Sequence, residues 1–195
     1  MSDEIHADFV YKGNHFNSVA ALKTGRIGYA VCTSPSKTFN LAGLHNANIY
    51  IPDPFTREKF VNILNRKGYS QSNIMGIVAC EAAYRYGGEW HAELLEYLEG
   101  NLNFLRGYIK ENIPKIHLVE PEGTYLVWLD FRGLGLTDDE LNKLMVEKAG
   151  LWLDPGSIFG RSGEGFERVN IACPRTILRT ALEKLSDTFG KGRYG

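Results

Sequence analysis

The sequence predicts an α/β fold that passes through one long helix into a smaller α+β unit. Three observations carry this. Short apolar segments bounded by Gly, Pro and Ser alternate with helical periodicities up to residue 88. A single apolar stripe then recurs at intervals of three and four from His91 to Ile109. After Pro114 the alternation of strand and helix patterns restarts on a smaller scale. The corresponding divisions are residues 1–88, 89–113 and 114–195.

Ile27–Thr33 and Asn48–Ile51 read as buried strands. Pro52-Asp53-Pro54 stops the second, and Thr56 is the expected N-cap of a helix with Phe60, Val61 and Leu64 on one face. A further helix is expected over about Asn73 to Tyr86, closing at Gly87-Gly88. The long helix carries His91, Leu94, Leu95, Leu98, Leu102, Leu105 and Ile109 and ends at Pro114. Its stripe is too short in heptads for a coiled coil and reads as core packing. Ile116–Val119 and Tyr125–Asp130 are expected strands flanking a turn at Pro121-Glu122-Gly123. Thr137-Asp138-Asp139-Glu140 has the form of a capping box, opening a helix with Leu141, Leu144, Met145 and Lys148. Leu151–Leu153 and Glu167–Ala172 follow as strands around a Gly-rich loop, which reads as flexible, and a last amphipathic helix carries Leu178, Ala181, Leu182 and Leu185.

Composition excludes several function classes. With 195 residues and a net charge of -1, the chain can hold a sizeable core but has no basic surface for nucleic acid or an anionic membrane. The three cysteines, Cys32, Cys80 and Cys173, are widely separated and read as free thiols of a reducing, cytoplasmic compartment. No apolar run is long enough for a membrane span, and Met1-Ser2-Asp3-Glu4 is not a signal peptide. The five histidines are scattered without H-E-x-x-H or a Cys/His cluster, so no metal site is expected.

Candidate chemistry centres on Lys37, in Ser34-Pro35-Ser36-Lys37-Thr38-Phe39-Asn40. An apolar run leads into a Pro-broken loop holding one lysine among small and hydroxyl residues. A crowded ammonium loses proton affinity by desolvation, which frees a lone pair for nucleophilic and imine chemistry. Pyridoxal phosphate needs such a lysine, a carboxylate that keeps its ring nitrogen protonated, a neighbour for its phenolic oxygen and donors for its phosphate. Asp3, His6 and Ser34 are the respective candidates, and Arg168 can clamp a substrate carboxylate bidentately. Each is weak alone; a surface lysine and a solvated N-terminal turn are the plain alternatives.

Their order is more specific. Ser2-Asp3-Glu4-Ile5-His6-Ala7-Asp8, the Lys37 segment, Pro121-Glu122-Gly123-Thr124-Tyr125-Leu126 and Arg168-Val169-Asn170-Ile171-Ala172-Cys173-Pro174-Arg175 occur in sequence across the whole chain. With these stretches the chain resembles the fold-type-I pyridoxal-phosphate enzymes, the class I and II aminotransferase superfamily, and within it the cystathionine β-lyase (C–S lyase) branch. The resemblance implies that residues 1–88 are the C-terminal part of a large cofactor-binding domain with a partial parallel or mixed sheet. Residues 89–113 would then be an interdomain helix, and 114–195 a small C-terminal domain. It implies that Lys37 forms the imine, Asp3 pairs with the pyridine nitrogen, and Arg168 holds the α-carboxylate. His6 falls where typical aminotransferases carry tyrosine, which points to the lyase branch; His45 falls where many carry a phosphate-binding arginine.

The implied activity is β-elimination from cystathionine or a cysteine S-conjugate, giving thiol, pyruvate and ammonia. The alternatives are an amino acid aminotransferase, and a catalytically inactive fragment acting as a binding or dimerisation module. Members of this superfamily run well beyond this length, so the resemblance also implies a partial chain. The ring-stacking aromatic and the phosphate cradle would lie outside it. The chain is therefore expected to bind the cofactor weakly by itself, to expose apolar surface, and to form a homodimer or associate with a missing N-terminal half.

Overall fold

The structure is a computed structural model that describes residues 1–22, 28–69 and 71–192. The chain divides into two compact units, Met1–Leu95 and Glu96–Gly195.

In the first unit, β1 (Ser2–Asp3) pairs parallel with β2 (Val31–Thr33), and β2 pairs antiparallel with β3 (Asn48–Tyr50), giving a mixed sheet of order β1-β2-β3. The expected strand from Ile27 is described from residue 28 onward, Ile27 lying outside the described residues; pairing begins at Val31. β2 starts from the buried Val31, but β3 is exposed at all three positions. The expectation of a buried second strand is corrected: β3 is an edge strand, and burial begins only at Ile51.

The one-turn helix α1 (Pro35–Thr38) follows β2, with Ser34 as N-cap and Pro35 in the first turn. The helix α2 (Pro54–Arg66) is capped by Asp53, not Thr56: Asp53 Oδ2 accepts from Thr56 N at 2.7 Å. Pro54 explains the shift, because its fixed φ suits the first helical position and the residue before a proline is held extended. Phe60 and Leu64 are half-buried, whereas Val61 is exposed. The helix α3 (Ile74–Tyr86) starts after the N-cap Asn73 and buries only Gly76 completely. A Cβ at Gly76 would lie 2.9 Å from the Leu44 carbonyl, so the missing side chain permits this approach.

The long helix α4 (Gly88–Asn112) spans 25 residues, and the division between the units falls within it. Its stripe is half-buried at His91, Leu94 and Leu95 and fully buried at Leu98, Leu102, Leu105 and Ile109.

The second unit contains an antiparallel sheet of β4 (His117–Val119), β5 (Leu126–Asp130), β6 (Asp154–Pro155) and β7 (Phe166–Asn170), in the order β4-β5-β7-β6. Val127, Leu129 and Val169 are buried at alternate strand positions. The capping box forms as expected: Thr137 and Glu140 exchange hydrogen bonds at the start of α5 (Asp138–Lys143). The helix then widens into a π turn over Leu144–Lys148. Leu151 N donates to Met145 O at 3.0 Å, so Leu151 serves the helix end. This displaces the expected strand at Leu151–Leu153, and pairing begins at Asp154.

The Gly-rich loop is built from two 3-10 turns, Gly156–Phe159 and Arg161–Gly163. They approach so closely that a Cβ on Gly156 would sit 2.0 Å from Gly163 O. The helix α6 (Arg175–Phe189) buries Leu178, Leu182, Leu185 and Phe189. Asn101, fully buried on α4, donates to Ile171 O at 2.8 Å and Cys173 O at 2.9 Å, and accepts from Arg175 Nε.

Candidate functional site

Asp3, His6, Ser34 and Lys37 all belong to the first unit, and Arg168 belongs to the second. The register Asp3↔Cys32 places the Asp3 carboxylate on the strand beside the one that leads to Lys37. Asp3 is exposed, and its Oδ1 accepts from Ile5 N at 3.1 Å, while Oδ2 meets no donor among the described residues. The chain then turns over Ile5–Asp8, closed by Ala7 N to Glu4 O and Phe9 N to His6 O, each at 3.0 Å. His6 is half-buried within that turn, its ring 5.9 Å from the buried Phe9 ring.

Ser34 is buried and its hydroxyl is fully engaged. It donates to Asn46 O at 2.6 Å, accepts from Ser36 N at 3.1 Å, and lies 2.6 Å from the Ser36 hydroxyl. Lys37 stands on the outer side of α1. Pro35 and Thr38, three residues apart, face inward, so Lys37 points away from the packed side. The sequence predicts a crowded ammonium; the structure instead exposes Lys37, and one helical turn is too short to bury both of its sides. His45 is exposed in the left-handed region at φ 50°.

Two neighbours of these residues escape sequence reasoning. Thr38 Oγ1 donates to Asp8 Oδ2 at 2.7 Å, and the Asp8 carbonyl lies 3.0 Å from His91 Nε2. Thirty and eighty-three residues separate the partners, so no local spacing announces them. An aromatic cluster supports the same corner: the Phe39 ring lies within 6.2 Å of the Tyr84, Trp90 and His91 rings.

In the second unit, Arg168 on β7 faces Asp154 on β6 in register. Its Nε and Nη2 donate to Asp154 Oδ2 at 3.1 and 2.6 Å, and its guanidinium lies over the Phe159 ring at 4.6 Å. Both contacts fix the plane of the fork and leave Nη1 for a further acceptor. Asp154 is the neighbour of Arg168 that the sequence reading misses. Among the described residues, no group of three or more His, Cys, Asp or Glu is placed to hold a metal ion, and no helix is long and apolar enough to cross a membrane.

A mixed α/β frame with a lone lysine on the turn after a strand, and a carboxylate on the neighbouring strand, belongs to a known class. The sequence profile of the family "Aminotransferase class I and II" matches residues 1–185. The chain belongs to that family. It is 40% identical over 186 residues to cystathionine beta-lyase PatB of Bacillus subtilis (strain 168), covering 95% of this chain and 48% of that protein. It is 33% identical to protein MalY of Escherichia coli (strain K12), again over 186 residues, covering 95% of this chain and 47% of that protein.

Among solved structures, a pyridoxal-phosphate-bound putative aminotransferase from Clostridium difficile 630 superposes with a TM-score of 0.93 at 39% identity, covering 96% of this chain and 49% of that one. Cystalysin from Treponema denticola, which contains pyridoxal 5'-phosphate, does so with a TM-score of 0.91 at 34% identity, covering 96% and 48%. The chain spans about half the length of the curated relatives it matches.

Proposed function

We propose that this chain is the lysine-bearing portion of a pyridoxal-phosphate-dependent C–S β-lyase acting on cystathionine or a cysteine S-conjugate. The observation that carries the reading is the pairing of Lys37 and Asp3. Among the described residues, an exposed amine with no bonded partner follows one strand, and a carboxylate with one oxygen unengaged occupies the strand beside it. The 40% identity to a cystathionine beta-lyase supports the same reading.

The residues present fit the cofactor. Lys37 offers the primary amine that would hold it covalently, and Asp3 offers an oriented acceptor for a ring N–H. His6 lies on the same turn for the phenolic oxygen. Ser34 fits the phosphate once its hydroxyl turns from Asn46 O. The bound cofactor supplies an electron sink for a carbanion at the substrate Cα. Asp3 keeps the proton on the ring nitrogen that makes the sink effective. Arg168 binds the α-carboxylate through its remaining N–H groups, with Asp154 and Phe159 fixing its fork. The Lys37 amine is the group that would take the α-proton as general base. A thiolate then leaves Cβ, and water completes the conversion to pyruvate and ammonia.

Amino acid transamination uses the same residues and differs in where the proton returns; a catalytically inactive fragment is the third possibility. We place the protein in the cytoplasm, on the basis of its free thiols. We also place it in a homodimer or in association with the remainder of a full-length relative. The exposed apolar residues of α2 and α3, including Ile63, Ile74, Met75 and Val78, support an associated state.

The test is incubation with pyridoxal phosphate, after which one sample is reduced with borohydride and its peptides mapped, and a second, unreduced sample is assayed for cystathionine turnover. An adduct confined to Lys37 with thiol and pyruvate release is the expected result. A keto acid without thiol release selects transamination. Labelling spread over surface lysines with no product selects the inactive fragment.

A further inference from the structure

We propose that Asp8 and Thr38 are positioning residues whose hydrogen bond holds the Asp3–His6 turn at a fixed spacing from the Lys37 turn. The role rests on the reading of Lys37 given above, but the contact itself does not.

The two turns need such a tie. β1 is only two residues long, so the ladder joining it to β2 consists of the pairs Ser2↔Val31 and Asp3↔Cys32. Beyond those pairs the strands diverge in function. One side turns over Ile5–Asp8 with His6 in it, and the other turns through Ser34 and Pro35 into α1. A two-residue ladder restrains its own ends but not the side chains three to five residues further along. The Thr38–Asp8 bond closes the far end of both turns at 2.7 Å.

The environment makes that bond directional. Thr38 is 1% exposed and adjacent in sequence to Lys37. A hydroxyl donating to a carboxylate forms the shorter, stronger class of hydrogen bond. Asp8 is half-buried, and opening the bond would also strand the buried Thr38 hydroxyl without its acceptor, so the contact resists opening. Asp8 is held from its other side as well, its carbonyl oxygen accepting from His91 Nε2 at 3.0 Å. A carbonyl only accepts, which assigns the proton of this contact to His91 Nε2. Phe9, next to Asp8, is buried with its ring 6.2 Å from the His91 ring, and Phe39, next to Thr38, is also 6.2 Å from it. The residues flanking the bond thus pack on one imidazole.

The experiment uses the full chain and three variants: Thr38→Val, which keeps the shape and removes the donor, Thr38→Ser, which restores it, and Asp8→Asn. Amide hydrogen exchange is measured over residues 5–9 and 34–39, and pyridoxal phosphate attachment is mapped over all lysines after borohydride reduction. T38V is expected to speed exchange in both segments about tenfold, with exchange in α6 unchanged. It is also expected to lower the preference of the cofactor for Lys37 over other lysines by a similar factor. T38S returns both readouts towards wild type, and D8N reproduces T38V in weaker form. Unchanged exchange in T38V overturns the proposal. So does faster exchange that T38S fails to restore, because packing volume and not the donated bond would then be responsible. If the wild type never takes up the cofactor at Lys37, the functional reading fails, while hydrogen exchange still decides whether the tie exists.

Discussion

Glu167 offers a measurable dependence of stability on pH. It lies on β7 between Leu129 and Pro155, is 1% exposed, and neither carboxyl oxygen has a hydrogen-bond partner among the described residues. It borders a cavity of about 360 Å³ whose wall includes Asn142, Met145 and Trp152. Burial, followed by the charges of Asp138 and Asp154, pushes its carboxyl from 4.5 up to about 7. Below pH 4.5 the group is protonated in the folded and the unfolded chain, and no stability is lost. Between 4.5 and about 7 the unfolded chain ionises while the folded one keeps its proton, so stability falls as pH rises. Above about 7 both forms are ionised and the loss levels off at roughly 3–4 kcal/mol, of which roughly 2–3 kcal/mol falls between pH 5 and pH 8. Glu167→Gln removes the titration at nearly constant shape. Urea unfolding at pH 5 and pH 8, in a Trp90→Phe background so that Trp128 and Trp152 of the second unit report, measures the difference. The variant should gain roughly 2–3 kcal/mol on wild type between the two pH values, a relative midpoint shift of about 1–2 M urea. Parallel pH profiles for E167Q and wild type would refute the reasoning.

Leu105, wholly inaccessible on α4, should lose about 2–5 kcal/mol as Leu105→Ala, read by urea unfolding of the second unit. Asn101→Ala removes the donors to Ile171 O and Cys173 O and the acceptor of Arg175 Nε; a loss of about 1–3 kcal/mol is expected in thermal unfolding. The Arg168–Asp154 pair is half-open to water, so a double-mutant cycle of Asp154→Asn and Arg168→Gln should return a coupling below about 1 kcal/mol. A larger coupling would mean that Asp154 holds Arg168 for stability and not merely for orientation.

Local physics left much of the fold legible. The stripe from His91 to Ile109 marks α4 because a 3.6-residue period puts those side chains on one face whatever they pack against. The Thr137–Glu140 capping box is equally self-contained, its partners being three residues apart. Lys37, Asp3 and Arg168 could be singled out because the chemistry they suit is a property of residue type and order. Burial was not legible: Asn48–Tyr50 has the composition of an inner strand, yet pairing with β2 alone leaves it at an edge. Helix starts and strand limits shifted where a neighbour competed for the backbone, as with Pro54 at α2 and Met145 O at Leu151.

What the sequence determined by itself is the longer helices and most of the strands, together with the residue types that are candidates for the chemistry. Only the tertiary structure decided their circumstances. It exposes Lys37 on a one-turn helix, engages the Ser34 hydroxyl with Asn46 O, binds Arg168 to Asp154, and ties Asp8 to Thr38 across thirty residues. Periodicity and capping act over three or four residues, whereas these contacts depend on which strands pair and in what register, and a long-range pairing leaves no local imprint.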